Sequence, residues 1–436
     1  MATAKLTAEA PRWNSATRVG FRFLFVYFFV SILTPFGQVG AMLWSPLGIY
    51  ETVSSWWMSA VGLVGDWVFG ATVAPVFNGS GDTQFNYVEV FCWAAIASAA
   101  TVIWSIADRK RLSYPRLFEV LRVALRLFLA LEMIVYGTSK VLPVQFGTLL
   151  PSRLVTPVGE LSPMGLLWTF MAASPCYTFF GGAAELLGGL LLVFRRTTLL
   201  GALVCAGVMT QVVMLNLCYD VPVKLFSSQL LAMAIFLTLP DAKRLWSFFV
   251  EGRPIAPAPI RPRFKRRWLN WSITSATVGL FVLLTLQGVI NDYSYCQASG
   301  IFGPSLPLQG VWDVVEYERD GEVIPPLATD PIRWNELLFQ NTGSGAWVVA
   351  KSMLGRPKLS MVEFAEGARR MTLTDLQNTE NPPLVLTYEE PAPDTLVLSG
   401  TVSGKKLRVE LHRAPKERFT LVNRGFHWIN EMPFNR

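Results

Sequence analysis

Between residues 122 and 224 the chain sets ionisable and amide side chains into otherwise apolar sequence. Glu132, Tyr136 and Lys140 follow at four-residue spacing, so on a helix they share one face. Arg122 and Arg126 precede them at the same spacing. Glu185 sits inside the Gly-rich run FFGGAAELLGGLLL. Asn216, Tyr219 and Asp220 close the next run, LNLCYD, and Lys224 opens VPVKL. A lysine and a glutamate held away from water can exchange protons, and Tyr and Asn can donate hydrogen bonds beside them. Ionisable residues within apolar spans mark a functional site by default. The structural alternative is a set of buried ion pairs that fix helix register. Lys140 and Glu185 have opposite signs and are the pair expected to carry proton transfer. Arg126, Glu132, Tyr136, Asn216, Tyr219, Asp220 and Lys224 are expected to bind a cofactor around them. Arg122 and Arg126 lie close to the inner loop and are also expected to snorkel toward it, the alternative role for Arg126.

The elements that must hold these groups are membrane helices. Hydrophobic residues make up 52% of the 436 and charged residues 16%, and mean hydropathy is +0.37. Ordinary soluble domains carry about 25% charge. Seven apolar segments approach span length: roughly 19–44, 87–107, 117–139, 176–194, 198–217, 222–240 and 269–289. The first is read as an uncleaved anchor, because no small-residue cleavage site follows it. Residues 56–77 contain Asp66, and 163–173 is too short and ends at Ser174-Pro175. Both read as interfacial helices on the outer face.

Loop charge sets the orientation. With the N-terminus inside, the inner loops carry eighteen Lys and Arg, among them Lys5, Arg109, Lys110, Arg111, Arg195, Arg196, Arg261, Arg263 and Lys265. The outer loops before the last span carry three: Lys140, Arg153 and Lys224. That bias puts the N-terminus in the cytoplasm and everything past residue 290 outside, in a bacterium the periplasm. Residues 1–290 have a net charge of +10 and residues 291–436 of −3. The basic balance is therefore a membrane-topology signal and excludes nucleic acid as the partner. The partners expected are the lipid bilayer and a redox or periplasmic protein docking on the outer domain.

Past the last span the pattern changes to short alternating runs. GVWDVVEYE is followed by Asp320-Gly321, a tight-turn dipeptide. DTLVLSGTV and KKLRVELHR flank Ser403-Gly404 and put Leu407, Val409 and Leu411 on one face. RFTLV and FHWIN, around Asn423-Arg424-Gly425, read as a third hairpin. Five to eight strands predict a small antiparallel barrel or sandwich. The fold class is thus a polytopic α-helical membrane protein with an all-β C-terminal domain. Four regions follow: 1–115 with two spans, a 116–250 bundle, a 251–290 basic linker and seventh span, and the β domain 291–436.

Of the five cysteines none forms a CxxC, which removes a thioredoxin-like site from this chain. Cys92 and Cys205 fall inside spans. Cys176, Cys218 and Cys296 fall at the outer face, where a Cys218–Cys296 bridge is one option. The only histidines are His412 and His427, which excludes a haem or metal on membrane histidines. No GxGxxG or P-loop points to a nucleotide.

Two resemblances add to this reading. LRVALRLFLALEMIVYGTSKVLPVQF, FFGGAAELLGGLLLVFRRTTLLGALV and LNLCYDVPVKL resemble the DoxX-like membrane proteins over about residues 116–250. The resemblance implies a four-helix core, respiratory or thiol redox chemistry and a quinone as cofactor. It places the family pattern on Arg126, Gly137, Lys140, Phe146 and Glu185. The extra spans and the outer β domain depart from that family. Gly310-x-Trp312 on the first strand, with arginines near the last, resembles the opening of lipocalin-like barrels. The layout is also similar in architecture to vitamin K-dependent carboxylases, where Lys140 would act as a base. The leading expectation is a quinone-linked redox protein, and the alternative is a non-catalytic lipid- or partner-binding scaffold.

Overall fold

The computed structural model describes residues 12–35, 37–256, 266–342, 345–365, 367–375, 378 and 382–435. Lys5, Arg261, Arg263 and Lys265, four of the inner-loop cations, lie outside them. The chain forms two compact units. One comprises Met1–Gly137 with Ala183–Thr285, and the other Thr138–Gly182 with Leu286–Arg436. The sequence boundaries at 115, 250 and 290 therefore do not coincide with the units. Residues 138–182 belong with the β domain.

The helical unit is built from α1 (Ser15–Leu33), α2 (Gln38–Trp44), α3 (Tyr50–Val64), α4 (Gln84–Ala107), most of α5 (Pro115–Val141) and part of α8 (Pro175–Val193). It continues with α9 (Thr198–Cys218), α10 (Lys224–Thr238), α11 (Ala242–Phe249) and the first half of α12 (Arg267–Ala298). Among the described residues six helical stretches are long and apolar enough to cross a membrane: α1, α4, α8, α9, Lys224–Phe249 and α12. The third expected span, α5, has 27 residues, but Arg126, Glu132 and Lys140 interrupt its apolar run. It is therefore not among these six; it lies in the core of the unit, with Leu121, Leu125, Leu129, Met133 and Ile134 almost fully buried.

The first expected span, 19–44, is broken. α1 ends at Leu33, and Thr34-Pro35 separates it from α2, because a residue before proline is pushed out of the helical region. Residues 56–77 form the end of α3 and a wider turn, Gly65–Phe69, closed by Gly70 in the left-handed region at φ 62°. The glycines of α8 permit close packing. A Cβ at Gly189 would lie 2.8 Å from Ile134 Cγ1 and 3.0 Å from Ala130 O on α5. One at Gly188 would lie 2.7 Å from Cys205 Sγ on α9. All five cysteines are free, so the Cys218–Cys296 bridge is not formed.

The second unit is an antiparallel β-barrel. Its strands are β1 (Gly310–Arg319), β3 (Trp334–Asn341), β4 (Ala346–Ser352), β5 (Pro357–Phe364), β6 (Arg370–Asp375), β7 (Leu384–Ala392), β8 (Thr395–Val402) and β9 (Lys405–Arg413). The two-residue β2 (Glu322–Val323) hangs on β1. Each strand pairs with the next, and β1 pairs with β9 to close the eight. Asp320 and Gly321 both have positive φ, as do Ser403 and Gly404. That is the backbone of a primed two-residue turn, whose twist matches paired strands. The β8–β9 hairpin stands where the sequence predicts it, with Leu407, Val409 and Leu411 buried inside.

The third predicted hairpin does not form. Residues 416–418 make a short helical turn and Thr420–Asn423 a four-residue helix, α13. Closure through β1 and β9 leaves no free edge for further strands to join.

The Gly310-x-Trp312 motif sits at that closure. Trp312 is fully buried and pairs with Arg413 across the β1–β9 seam. The Arg413 guanidinium lies 4.3 Å from the centre of the Trp312 ring, and its Nη1 donates to Gln309 O at 2.8 Å. The Trp312 indole N–H donates to Leu308 O at 2.7 Å. Gly310, at φ 139°, has no room for a side chain, since a Cβ would meet Arg413 Nη1 at 3.0 Å. Phe339, Met371, Leu386 and Leu398 fill the interior.

Tyr317 projects into this core, and burial raises its phenol above the ordinary value of 10.0. A raised folded-state value keeps this contribution intact below pH 10 and loses it as pH rises through the folded value. Barrel stability should therefore fall above about pH 10. Tyr317→Phe should flatten that arm in an alkaline series of thermal melts.

The chain between α5 and α7 (Pro163–Ala173) straps the outside of the barrel. It includes the four-residue α6 (Pro151–Leu154). Val155 packs with Phe419 on Val311, Leu338, Val349 and Ala414. The Lys351 ammonium donates to Val155 O at 3.1 Å, and Ser152 N–H donates to Gln340 Oε1 at 3.2 Å. Around this patch Arg418 bridges Asp313 and Glu336, both at 2.8 Å. The end of α12 is tied to the β3–β4 connection, where Tyr295 Oη donates to Thr342 O at 2.9 Å.

Candidate functional site

Helix α5 carries the polar face that its spacing predicts. Glu132 is 2% exposed and Tyr136 half-buried one turn later. Arg126 is buried rather than snorkelled. Across from α5, Glu185 on α8 is 3% exposed, one turn before the close approaches at Gly188 and Gly189. Cys205 of α9 is fully buried beside Gly188. The arrangement is two buried carboxyl groups, Glu132 and Glu185, on two closely approaching helices, with the Tyr136 phenol one turn on from Glu132. The Tyr136 and Phe226 rings lie 6.1 Å apart. A phenol can donate or relay a proton, and either carboxyl group can take or return one.

Asn216 is buried on α9 and its amide donates to Ser227 Oγ of α10 at 3.0 Å. It ties two helices together. Lys140 is buried at the last turn of α5 but falls in the second unit, whereas Glu185 falls in the first. Phe146 also belongs to the second unit, packed edge-on against Trp168 of α7 at 5.1 Å.

The remaining predicted residues form a turn rather than a pocket wall. Asp220, whose side chain is 81% exposed, takes φ 51° between α9 and α10 and accepts from Lys224 Nζ at 2.8 Å. Tyr219, half-buried, closes α9. The sequence reading missed the group that organises this turn. Asp82 accepts from the backbone N–H groups of Lys224 (2.8 Å) and Leu225 (3.0 Å), and its Oδ2 lies 3.7 Å from Lys224 Nζ. It caps α10 from a loop far away in sequence. Such a cap contributes about 1–2 kcal/mol, so Asp82→Ala should lower the thermal midpoint of the full chain in detergent, and Asp82→Asn should restore most of it.

Two more buried charges went unread, although both fall inside predicted spans. Arg22 on α1 donates to Tyr114 Oη (2.6 and 3.1 Å), Ser105 Oγ (2.7 Å) and Asp108 O (3.0 Å). It clamps α1 to the α4–α5 connection. Glu89 on α4 accepts from the indole N–H of Trp57 on α3 at 2.7 Å. Applying the rule of ionisable residues in spans to every span would have found both. His412 and His427 are exposed, and among the described residues no group of three His, Cys, Asp or Glu is placed to hold a metal ion.

These features define a protein with, among the described residues, six helical stretches long and apolar enough to cross a membrane, followed by an eight-stranded β-barrel. Over 124 residues, 28% of this chain and 79% of the relative, it is 34% identical to the uncharacterized protein YwoB of Bacillus subtilis (strain 168), and it belongs to the same family as that protein. No family model and no solved structure matches the chain.

Proposed function

We propose that this is a DoxX-like, quinone-linked redox protein of the bacterial inner membrane, with its N-terminus in the cytoplasm and its barrel in the periplasm. The observation that supports it is the pair of buried carboxyl groups, Glu132 and Glu185, on two helices that meet closely at Gly189, with Tyr136 one turn on from Glu132. A quinone would supply a two-electron, two-proton couple, its electrons coming from a redox partner or a soluble donor. The donor set suits such a group. Tyr136 can donate a hydrogen bond to a carbonyl oxygen, and Glu132 and Glu185 can hold and return the protons. Lys140 continues the same face of α5 one turn on and can pass protons toward the helix end. The α8 glycines keep Glu185 against α5 and exclude water.

The other reading is a non-catalytic lipid- or partner-binding scaffold. The packed barrel interior favours it, because Trp312, Phe339 and Met371 occupy the space a ligand would need. Purification in mild detergent, solvent extraction and mass spectrometry separate the two. Stoichiometric quinone, lost in Lys140→Ala and in Glu185→Ala while both remain folded, is the result expected. Bulk phospholipid alone, unchanged in the variants, would transfer the assignment to the scaffold reading.

A further inference from the structure

The last stretch of chain turns large apolar side chains outward. Trp428 is 90% exposed, Met432 81%, Ile429 78% and Phe426 76%, with Phe434 also exposed. Five large apolar side chains exposed within nine residues mark a contact that the isolated chain does not show. The backbone beneath is organised. The Arg424 guanidinium lies 4.2 Å from the centre of the Phe434 ring, and its Nη2 donates to Asn430 Oδ1. Asn430 Nδ2 donates to His427 O at 3.1 Å, and the Phe426 and Trp428 rings meet edge-on at 5.0 Å. The segment is a small platform held by these contacts, with its aromatic and aliphatic side chains exposed.

Its place in the second unit indicates what covers it. The segment leaves the barrel at Phe419, which packs with Val155. Val155 lies on the strap running from the last turn of α5 to α7. In the same unit the ends of α7 and α8 expose Phe170, Tyr177 and Phe180. The platform thus begins on the flank of the barrel that is joined to the ends of apolar helices. Its residue types, Trp and Phe with Met, Ile and a flanking Arg, are those that settle at the boundary between lipid headgroups and acyl chains.

We infer that residues 426–434 are an interfacial lipid anchor that rests the barrel on the outer leaflet. The inference relies on the membrane reading above. The test uses the full chain in phosphatidylcholine–phosphatidylglycerol vesicles, photolabelled in parallel with an alkyl diazirine dissolved in the bilayer and with a water-soluble diazirine. Trypsin cleavage after Arg424 releases 425–436 as one peptide, and cleavage after Arg196 and Lys224 releases 197–224, which contains α9.

The 425–436 peptide should take up the bilayer reagent about tenfold more than the aqueous one. The combined variant Phe426→Ser, Trp428→Ser, Ile429→Ser should reverse that preference while labelling of 197–224 stays unchanged. If 197–224 is labelled from the bilayer while 425–436 is labelled only from water, or is protected from both reagents, the anchor is wrong. Protection from both would point to a protein partner or a second copy. If 197–224 also escapes the bilayer reagent, the membrane reading fails first.

Discussion

Replacing Trp312 by alanine should cost the barrel about 3–5 kcal/mol, the range for deleting a buried aromatic ring. The side chain is fully buried, and the loss removes both the indole hydrogen bond to Leu308 and the surface on which Arg413 lies. A domain has only about 5–15 kcal/mol of stability in total. When proteolysis tracks the opened population, cleavage within residues 310–413 should rise roughly a hundred- to several-thousand-fold. Trp312→Phe keeps a ring at the seam and should recover a large part. A Trp312→Ala barrel as protease-resistant as the wild type would mean that the β1–β9 closure does not depend on this residue.

The second large effect is expected in the helical unit. Glu185→Gln keeps the volume and hydrogen-bonding capacity of the side chain and removes its proton. If Glu185 relays protons to and from Tyr136, the variant should insert and fold normally yet lose about a hundredfold or more of quinone-linked turnover, the usual range for a general acid or base. Glu132→Gln should give a comparable loss. If both carboxyl groups serve one relay, the double variant should be no worse than the more damaging single one. Complementation of a deletion strain, read beside the quinone content of the purified protein, measures this. Full complementation by both folded variants would leave the carboxylates a structural role only.

Local pattern carried far in this chain, and long-range placement did not. The β8–β9 hairpin was legible because Ser403-Gly404 stands between two strictly alternating runs, and α7 because Pro163 and Ser174-Pro175 bracket it. The shared face of Glu132 and Tyr136 follows from helical period alone. The false hairpin at 418–430 has the same local signature as the true one. What differs is that no sheet edge remains for it, a property of barrel closure that no short window contains. Asp82 escaped for a related reason, since its partners are backbone N–H groups 142 and 143 positions later. The division of α5 and α8 between the two units could not be read either, because both are continuous helices that cross it.

The strap across the barrel also fixes an order of manufacture. Val155 and Ser152 leave the ribosome well before Val311, Leu338 and Gln340, the strand residues they cover. At synthesis rates of about 5–20 residues per second the delay from Val155 to Val311 is roughly ten to thirty seconds. For that interval the apolar side of the strap waits without its partner, while α8 to α12 are still being made. The last residue of the patch, Phe419, emerges later still, after β9. Quality control that reads exposed apolar surface would therefore hold this protein until the strands that cover the strap have formed, and truncation between residues 155 and 311 would leave the strap uncovered for good.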